Sequence, residues 1–180
     1  MTSNHEIVIA GFGGQGLLFS GKVLAYAGLI EGRELSWLPS YGPEMRGGTA
    51  NCNVILSDTP VGSPIVEKPD ILMVMNTPSL DKYEDTVVPG GKIFIDSTMI
   101  TRKVERTDVE VYYVPATAMA MEKGLNGLAN MILLGAILEK TDCIEDSSLE
   151  AALHKVIPAR KANLFDTNLN AVQLGRDYVK

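Results

Sequence analysis

Two stretches of the chain hold residues whose types and spacing could do chemistry. The first is Gly11-Phe12-Gly13-Gly14-Gln15-Gly16, a G-x-G-x-x-G pattern set between an apolar run and a helical one. Glycines at a strand-to-helix turn permit a tight bend and let backbone N–H groups approach an anion at the helix N-terminus. A dinucleotide site also needs an acid at the end of the second strand, to hold the ribose hydroxyls. Here that strand ends in Leu38-Pro39-Ser40, and Glu34 stands at its start, the wrong end. The overlapping run from Gly16 to Lys22 has P-loop spacing, but Val23 stands where a hydroxyl should ligate magnesium. Both patterns therefore speak against binding of NAD or FAD and hydrolysis of ATP. Close packing of helix on strand explains one or two of the glycines, less easily the Gly13-Gly14 pair. Gly13, Gly14, Gln15 and Gly16 are candidates for a backbone contact with a ligand or with another subunit.

The second stretch is Ser40-Tyr41-Gly42-Pro43-Glu44-Met45-Arg46-Gly47-Gly48. Proline stiffens this loop and the glycines permit sharp turns, so Glu44, Met45 and Arg46 are presented in fixed directions. Methionine offers an adaptable apolar contact, and arginine a planar fork for carboxylate or phosphate. Glu44 could pair with Arg46 and merely pin the loop, or it could face a partner. Both stretches follow carboxyl ends of strands, the edge at which open parallel sheets bind ligands, so they are expected side by side.

No catalytic set accompanies them. His5 precedes the first strand and His154 lies in a late helix, each read as a solvated side chain. Nucleophile-elbow, HExxH and paired-carboxylate patterns are absent. Asp96 ends a strand at the same edge and reads as a helix cap. Cys52 and Cys143 are far apart, too few for an iron–sulfur cluster or a structural zinc, and read as thiols of a reducing compartment. No metal site is expected.

The elements that position these residues follow from apolar periodicity. Strands are expected at 6–10, 34–38, 71–75, 92–95 and 109–114, with 49–56 extended. Helices are expected at 15–32 and 78–88, and beyond Pro115 at 116–123, 126–140, 146–157 and 161–178. Strand–helix alternation with continuous apolar strands predicts an α/β, Rossmann-like fold: a mostly parallel sheet flanked by helices, with a helical C-terminal third. Residues 1–180 read as one domain. The helix at 126–140 is apolar around most of its circumference, so it is either buried in the domain or covered by another chain.

Composition narrows the function classes. Hydrophobic residues make up 46% of the 180, enough for a full core. A net charge of −6 argues against nucleic-acid binding. The N-terminus lacks the features of a signal peptide, and no run approaches the ~18 apolar residues of a membrane span. The expectation is a cytoplasmic protein with no membrane contact.

The glycine motif, the PSYGPEMRGG loop, Thr49-Ala50-Asn51-Cys52, Ser63-Pro64 and the 130–138 segment beginning at Asn130 together resemble the gamma subunit of 2-oxoacid:ferredoxin (acceptor) oxidoreductases. The similarity covers nearly the whole chain and is closest to the 2-oxoglutarate or branched-chain 2-oxoacid type. The resemblance implies a required but non-catalytic subunit that docks on alpha and beta subunits, which hold thiamine diphosphate between them. It implies a ferredoxin-like delta subunit with iron–sulfur clusters, and an acyl-CoA product, with 2-oxoglutarate as the expected substrate. It puts the two loops and Asn130 at a subunit interface or near the entry route of coenzyme A. Two alternatives stay open: an assembly subunit with no ligand of its own, and an independent nucleotide-binding module.

Overall fold

The computed structural model describes residues 4–40 and 49–180. Among the described residues there are six strands and six α-helices. The strands are β1 (His5–Phe12), β2 (Glu34–Ser40), β3 (Thr49–Ser57), β4 (Ile71–Val74), β5 (Lys92–Asp96) and β6 (Glu110–Val114). The helices are α1 (Leu17–Ile30), α2 (Thr77–Tyr83), α3 (Ala116–Glu122), α4 (Ala129–Lys140), α5 (Asp146–Val156) and α6 (Leu164–Val179).

The strands form one sheet in the order β2-β3-β1-β4-β5-β6. β1, β4, β5 and β6 pair in parallel, as the continuous apolar runs predict. β3 runs against both neighbours, β1 and β2. The reason is the length of its connection. Parallel neighbours need a crossover of a dozen or more residues, and only residues 41–48 separate β2 from β3. The inverted strand holds β2 two strand spacings, about 10 Å, from β1. The position from which a dinucleotide-binding fold reaches the ribose is thus displaced as well as lacking its acid.

Both faces of the sheet are buried, which is why the strands read as unbroken apolar runs. Ile7, Ile9, Met73 and Phe94 point into a large core shared with α1, α3, α4, α5 and α6. Val8, Ala10, Leu72, Val74, Ile93 and Ile95 point to the other face, closed by Leu80 of α2 and by Val66, Val87 and Ile100 from irregular chain. The helical C-terminal third therefore sits on one face.

Three helices differ from the sequence expectation. α4 begins at Ala129, not 126, because Gly127 adopts φ +81° and breaks the first turn. α2 ends at Tyr83 and gives way to a 3-10 turn, Glu84–Thr86. The last helix starts at Leu164, since Ala159–Lys161 forms a separate turn after Pro158. The apolar circumference of α4 is accounted for within this chain: every residue from Asn130 to Leu138 is buried. α6 lies so close that a Cβ on Gly135 would stand 2.0 Å from the Val172 carbonyl oxygen, and one on Gly175 would stand 1.8 Å from that of Ile132.

Candidate functional site

The end of β1, the start of α1 and the start of β3 meet at the carboxyl edge of the sheet. Phe12 pairs with Thr49, and Ser40 pairs with Asn51. Tyr41, Gly42, Pro43, Glu44, Met45, Arg46, Gly47 and Gly48 lie outside the described residues. Their two anchors, Ser40 and Thr49, stand at the same edge as the glycine motif.

The glycine motif is a self-latched turn. Gly14 and Gly16 take φ +90° and +77°, where a side chain would be strained. Gln15 folds back over the turn. Its Oε1 accepts the Phe12 N–H at 2.6 Å and its Nε2 donates to the Met75 carbonyl at 3.1 Å, joining the ends of β1 and β4. One N–H that a phosphate would need is therefore engaged by Gln15. Gly14 remains open, with no atom within 4 Å of where its Cβ would stand. Gly16 caps α1 without a side-chain bond to the first turn. Asn130, 2% exposed, sits beneath it, and its Nδ2 donates to the Gly16 carbonyl and to Ser20 Oγ, each at 3.0 Å. A Cβ on Gly16 would stand 2.6 Å from that amide nitrogen, so the third glycine gives Asn130 room.

Beside this turn lies a cavity of about 260 Å³, lined by Gly14, Gln15, Met75, Met99, Thr117 and Met121 among others. None of its lining residues is charged. Asp96, fully buried behind it, accepts the Thr98 and Thr117 N–H groups and the Thr117 hydroxyl. It thereby caps the start of α3, as its position at a strand end predicts. Three methionines and no cation suit an apolar arm or an apolar side chain better than a phosphate. Among the described residues, no group of three His, Cys, Asp or Glu side chains could hold a metal ion. These residues do not fit a thiamine diphosphate or an iron–sulfur cluster. The role of Gln15 as a latch, and the methionines at 75, 99 and 121, were missed in the sequence. The signal for two of the methionines was a place just past a strand end, Met75 after β4 and Met99 after β5, whereas Met121 lies within α3.

The histidines lie away from this edge or on the surface. His5 is buried at the amino edge, its ring nitrogens 2.6 Å from Asp70 Oδ2 and 3.3 Å from Asp142 Oδ1, beside a larger polar cavity of about 540 Å³. The expectation of a solvated His5 is corrected here: the first strand starts at residue 5, and pairing in the sheet draws the ring inward. His154 is exposed and stacks on Phe165, with centroids 3.8 Å apart. Cys52 and Cys143 are both free and buried, and burial pushes their thiols up to about 12 and about 11. A thiol so raised is neutral at ordinary pH and unreactive.

The model of the pyruvate ferredoxin/flavodoxin oxidoreductase family matches residues 6–178. The chain belongs to that family. Among its relatives, the 2-oxoglutarate synthase subunit KorC of Methanocaldococcus jannaschii is 38% identical over 178 residues, covering 97% of this chain and 94% of the relative. The ketoisovalerate oxidoreductase subunit VorA of Methanothermobacter thermautotrophicus is 43% identical over 177 residues, but this chain spans only 36% of its length. The solved gamma subunit of a keto/oxoacid ferredoxin oxidoreductase from Geobacter sulfurreducens superposes with a TM-score of 0.81 at 28% identity, covering 97% of this chain and 98% of that one. The α/β fold with its helical C-terminal part is that of the gamma subunit, and the sequence resemblance holds. No helix is long and apolar enough to cross a membrane, among the described residues.

Proposed function

We propose that this chain is the gamma subunit of a thiamine-diphosphate-dependent 2-oxoacid:ferredoxin oxidoreductase. The observation that carries the reading is its end-to-end correspondence with subunits of such enzymes, 94% of one relative and 98% of one solved gamma chain. In the complete enzyme one 2-oxoacid anion and one coenzyme A thiol give an acyl thioester, carbon dioxide, one proton and two electrons for the ferredoxin. The substrate is 2-oxoglutarate or a branched-chain 2-oxoacid, the types named for relatives such as KorC and VorA. The alpha and beta subunits hold the thiamine diphosphate, and a ferredoxin-like delta subunit holds the iron–sulfur clusters.

The part of this chain is docking and positioning. The carboxyl edge, with the glycine turn, the methionine-lined cavity and the anchors of the 41–48 loop, faces the catalytic core. The uncharged cavity accepts the pantetheine arm of coenzyme A or an apolar side chain of a neighbouring subunit. Arg46 supplies the charge for a phosphate or carboxylate. One observation favours a second reading, assembly without a ligand: Gln15 already fills the Phe12 N–H that a phosphate would use.

Steady-state kinetics of the reconstituted complex carrying Arg46→Ala, with coenzyme A varied at saturating 2-oxoacid, separate the two. A raised KM for coenzyme A in an intact complex puts the loop at the thioester-forming step. An unchanged KM, with gamma lost on size-exclusion chromatography, makes it an assembly joint. A tagged chain that retains no other subunit, even as wild type, overturns the subunit reading.

A further inference from the structure

A second groove lies on the same end of the molecule, on the far side of Gly127 from the methionine cavity. It measures about 310 Å³ and lies between the first turn of α1, the starts of α4 and α6, and the end of α5. Its walls are mostly apolar, Phe19, Leu128, Val156, Ile157, Pro158 and Leu164, with the side-chain amides of Asn130 and Asn168 among them. Leu164 remains 37% exposed at its mouth. Single exposed leucines are ordinary, but this one closes nothing and stands over a hollow.

The rim is basic on an acidic protein. The chain carries −6 overall, yet residues 154–166 hold Lys155, Arg160 and Lys161 against one acid, Asp166. Lys161 lines the groove, and Lys155 and Arg160 adjoin lining residues in sequence. All three are exposed. Among the described residues none of them forms an ion pair, whereas Arg33, Arg102, Arg106 and Arg176 all do. One unpaired cation in a mostly apolar slot, with two more beside its lining residues in the chain, is complementary to an apolar anchor flanked by carboxylates.

We infer that this groove, which adjoins the glycine turn through Gly16, docks an acidic, apolar-anchored segment of another polypeptide. A polypeptide, rather than a small anion, is favoured by the six apolar walls. The inference rests on the subunit reading above, because it needs a partner chain.

The test uses the tagged full chain co-purified with its oxidoreductase subunits, in three forms: wild type, Lys155→Glu/Arg160→Glu/Lys161→Glu, and the same three positions as Gln. A fourth form carries the photo-crosslinking residue p-benzoylphenylalanine in place of Leu164. We expect a crosslink to an Asp- or Glu-bearing segment of a partner. We also expect about tenfold weaker retention of that partner by the Glu form at low salt, with an intermediate loss for the Gln form, and both losses fading as salt screens the charges. Full retention by the Glu form, with no crosslink to a partner, overturns the groove and leaves the subunit reading standing. An intact Glu-form complex with a raised KM for coenzyme A also overturns it, in favour of a small anionic occupant. If the wild type retains no partner at all, the subunit reading falls first.

Discussion

Gly175→Ala adds one methyl group at the tightest of the described glycine positions. Its carbon would stand 1.8 Å from the Ile132 carbonyl oxygen, 2.7 Å from that carbonyl carbon and 3.0 Å from the Ala136 nitrogen. These are backbone atoms of a fully buried helix and cannot rotate away. To reach an ordinary contact of about 3.4 Å, α4 and α6 must part by about 1.6 Å. Overpacking of a well-packed core costs about 1–3 kcal/mol, occasionally more. Replacing a helical glycine by alanine returns about 1 kcal/mol. With the upper end of the first range set by the immovable backbone, the net loss is about 2 kcal/mol, or about 4–8 °C in a chain of this size. Gly135→Ala meets the Val172 carbonyl at 2.0 Å and should cost about the same. Both methyls force open the same gap, so the double variant should lose less than the two single losses together, by at least ~0.5 kcal/mol. Gly62→Ala, with nothing within 4 Å, is the control and should change little. Thermal melts by circular dichroism read the four variants and the parent. Single variants that melt within about 1 °C of the parent, or a strictly additive double, would refute the reasoning.

The glycine turn can be probed through its latch. Gln15→Leu removes the acceptor for the Phe12 N–H and the donor to the Met75 carbonyl. Amide exchange at Phe12 should quicken about tenfold with a stability loss of about 1 kcal/mol, since water can reach the freed groups; unchanged exchange would mean that Gln15 holds nothing. The two cysteines predict a pH dependence. Their folded pKa values, about 12 and about 11, lie above the ordinary 9.0, so the folded chain keeps protons that the unfolded chain releases. Stability should be unaffected by them below pH 9 and should fall as pH rises from 9 towards 11–12. Urea midpoints at pH 8 and pH 10, for the parent and for Cys143→Ala, check this: the fall should be smaller in the variant.

Much of this architecture could be read from the sequence because burial on both sheet faces leaves a plain mark. The 71–75 and 92–95 runs contain no polar residue except Lys92 at a strand start, and both proved to be parallel strands. The inversion of β3 left no such mark, since Thr49-Ala50-Asn51-Cys52-Asn53-Val54 reads alike in either direction. Its signal was the short spacing to β2, a chain-length argument rather than a side-chain one. The all-apolar α4 was ambiguous for a different reason. Its cover is α6, and the fit depends on Gly135 and Gly175, which a hydrophobicity pattern scores as weak positions. The glycine motif announced a turn but not its latch, because Gln15 works by reaching back to residue 12 and across to residue 75. The second groove was invisible, being assembled from four segments between residues 16 and 168.

The two edges of the sheet are fastened by different chemistry, and the difference bears on which one meets a partner. At the amino edge the fastenings carry charge: His5 between Asp70 and Asp142, Arg33 on the Cys143 and Leu56 carbonyls and near Asp58, Lys92 on Glu110. Such groups keep water close, and covering them would cost desolvation. Among the described residues of the carboxyl edge the fastenings are mostly neutral amides and hydroxyls: Gln15, Asn130 over Ser20, Asn76 capping α2, and Thr117 on the buried carboxylate of Asp96. These satisfy the backbone locally and leave Phe12, Met99 and Met121 exposed, Met121 to 69%. Interface cores are depleted in charge and enriched in aromatic residues and methionine. The described part of that edge shows an aromatic ring and two methionines to solvent, and can be covered at small electrostatic cost. The amino edge cannot, although Leu29 and Ile30 also stand exposed at the far end of α1. The asymmetry supports the proposed orientation, with the carboxyl edge towards a partner and the charged edge towards water.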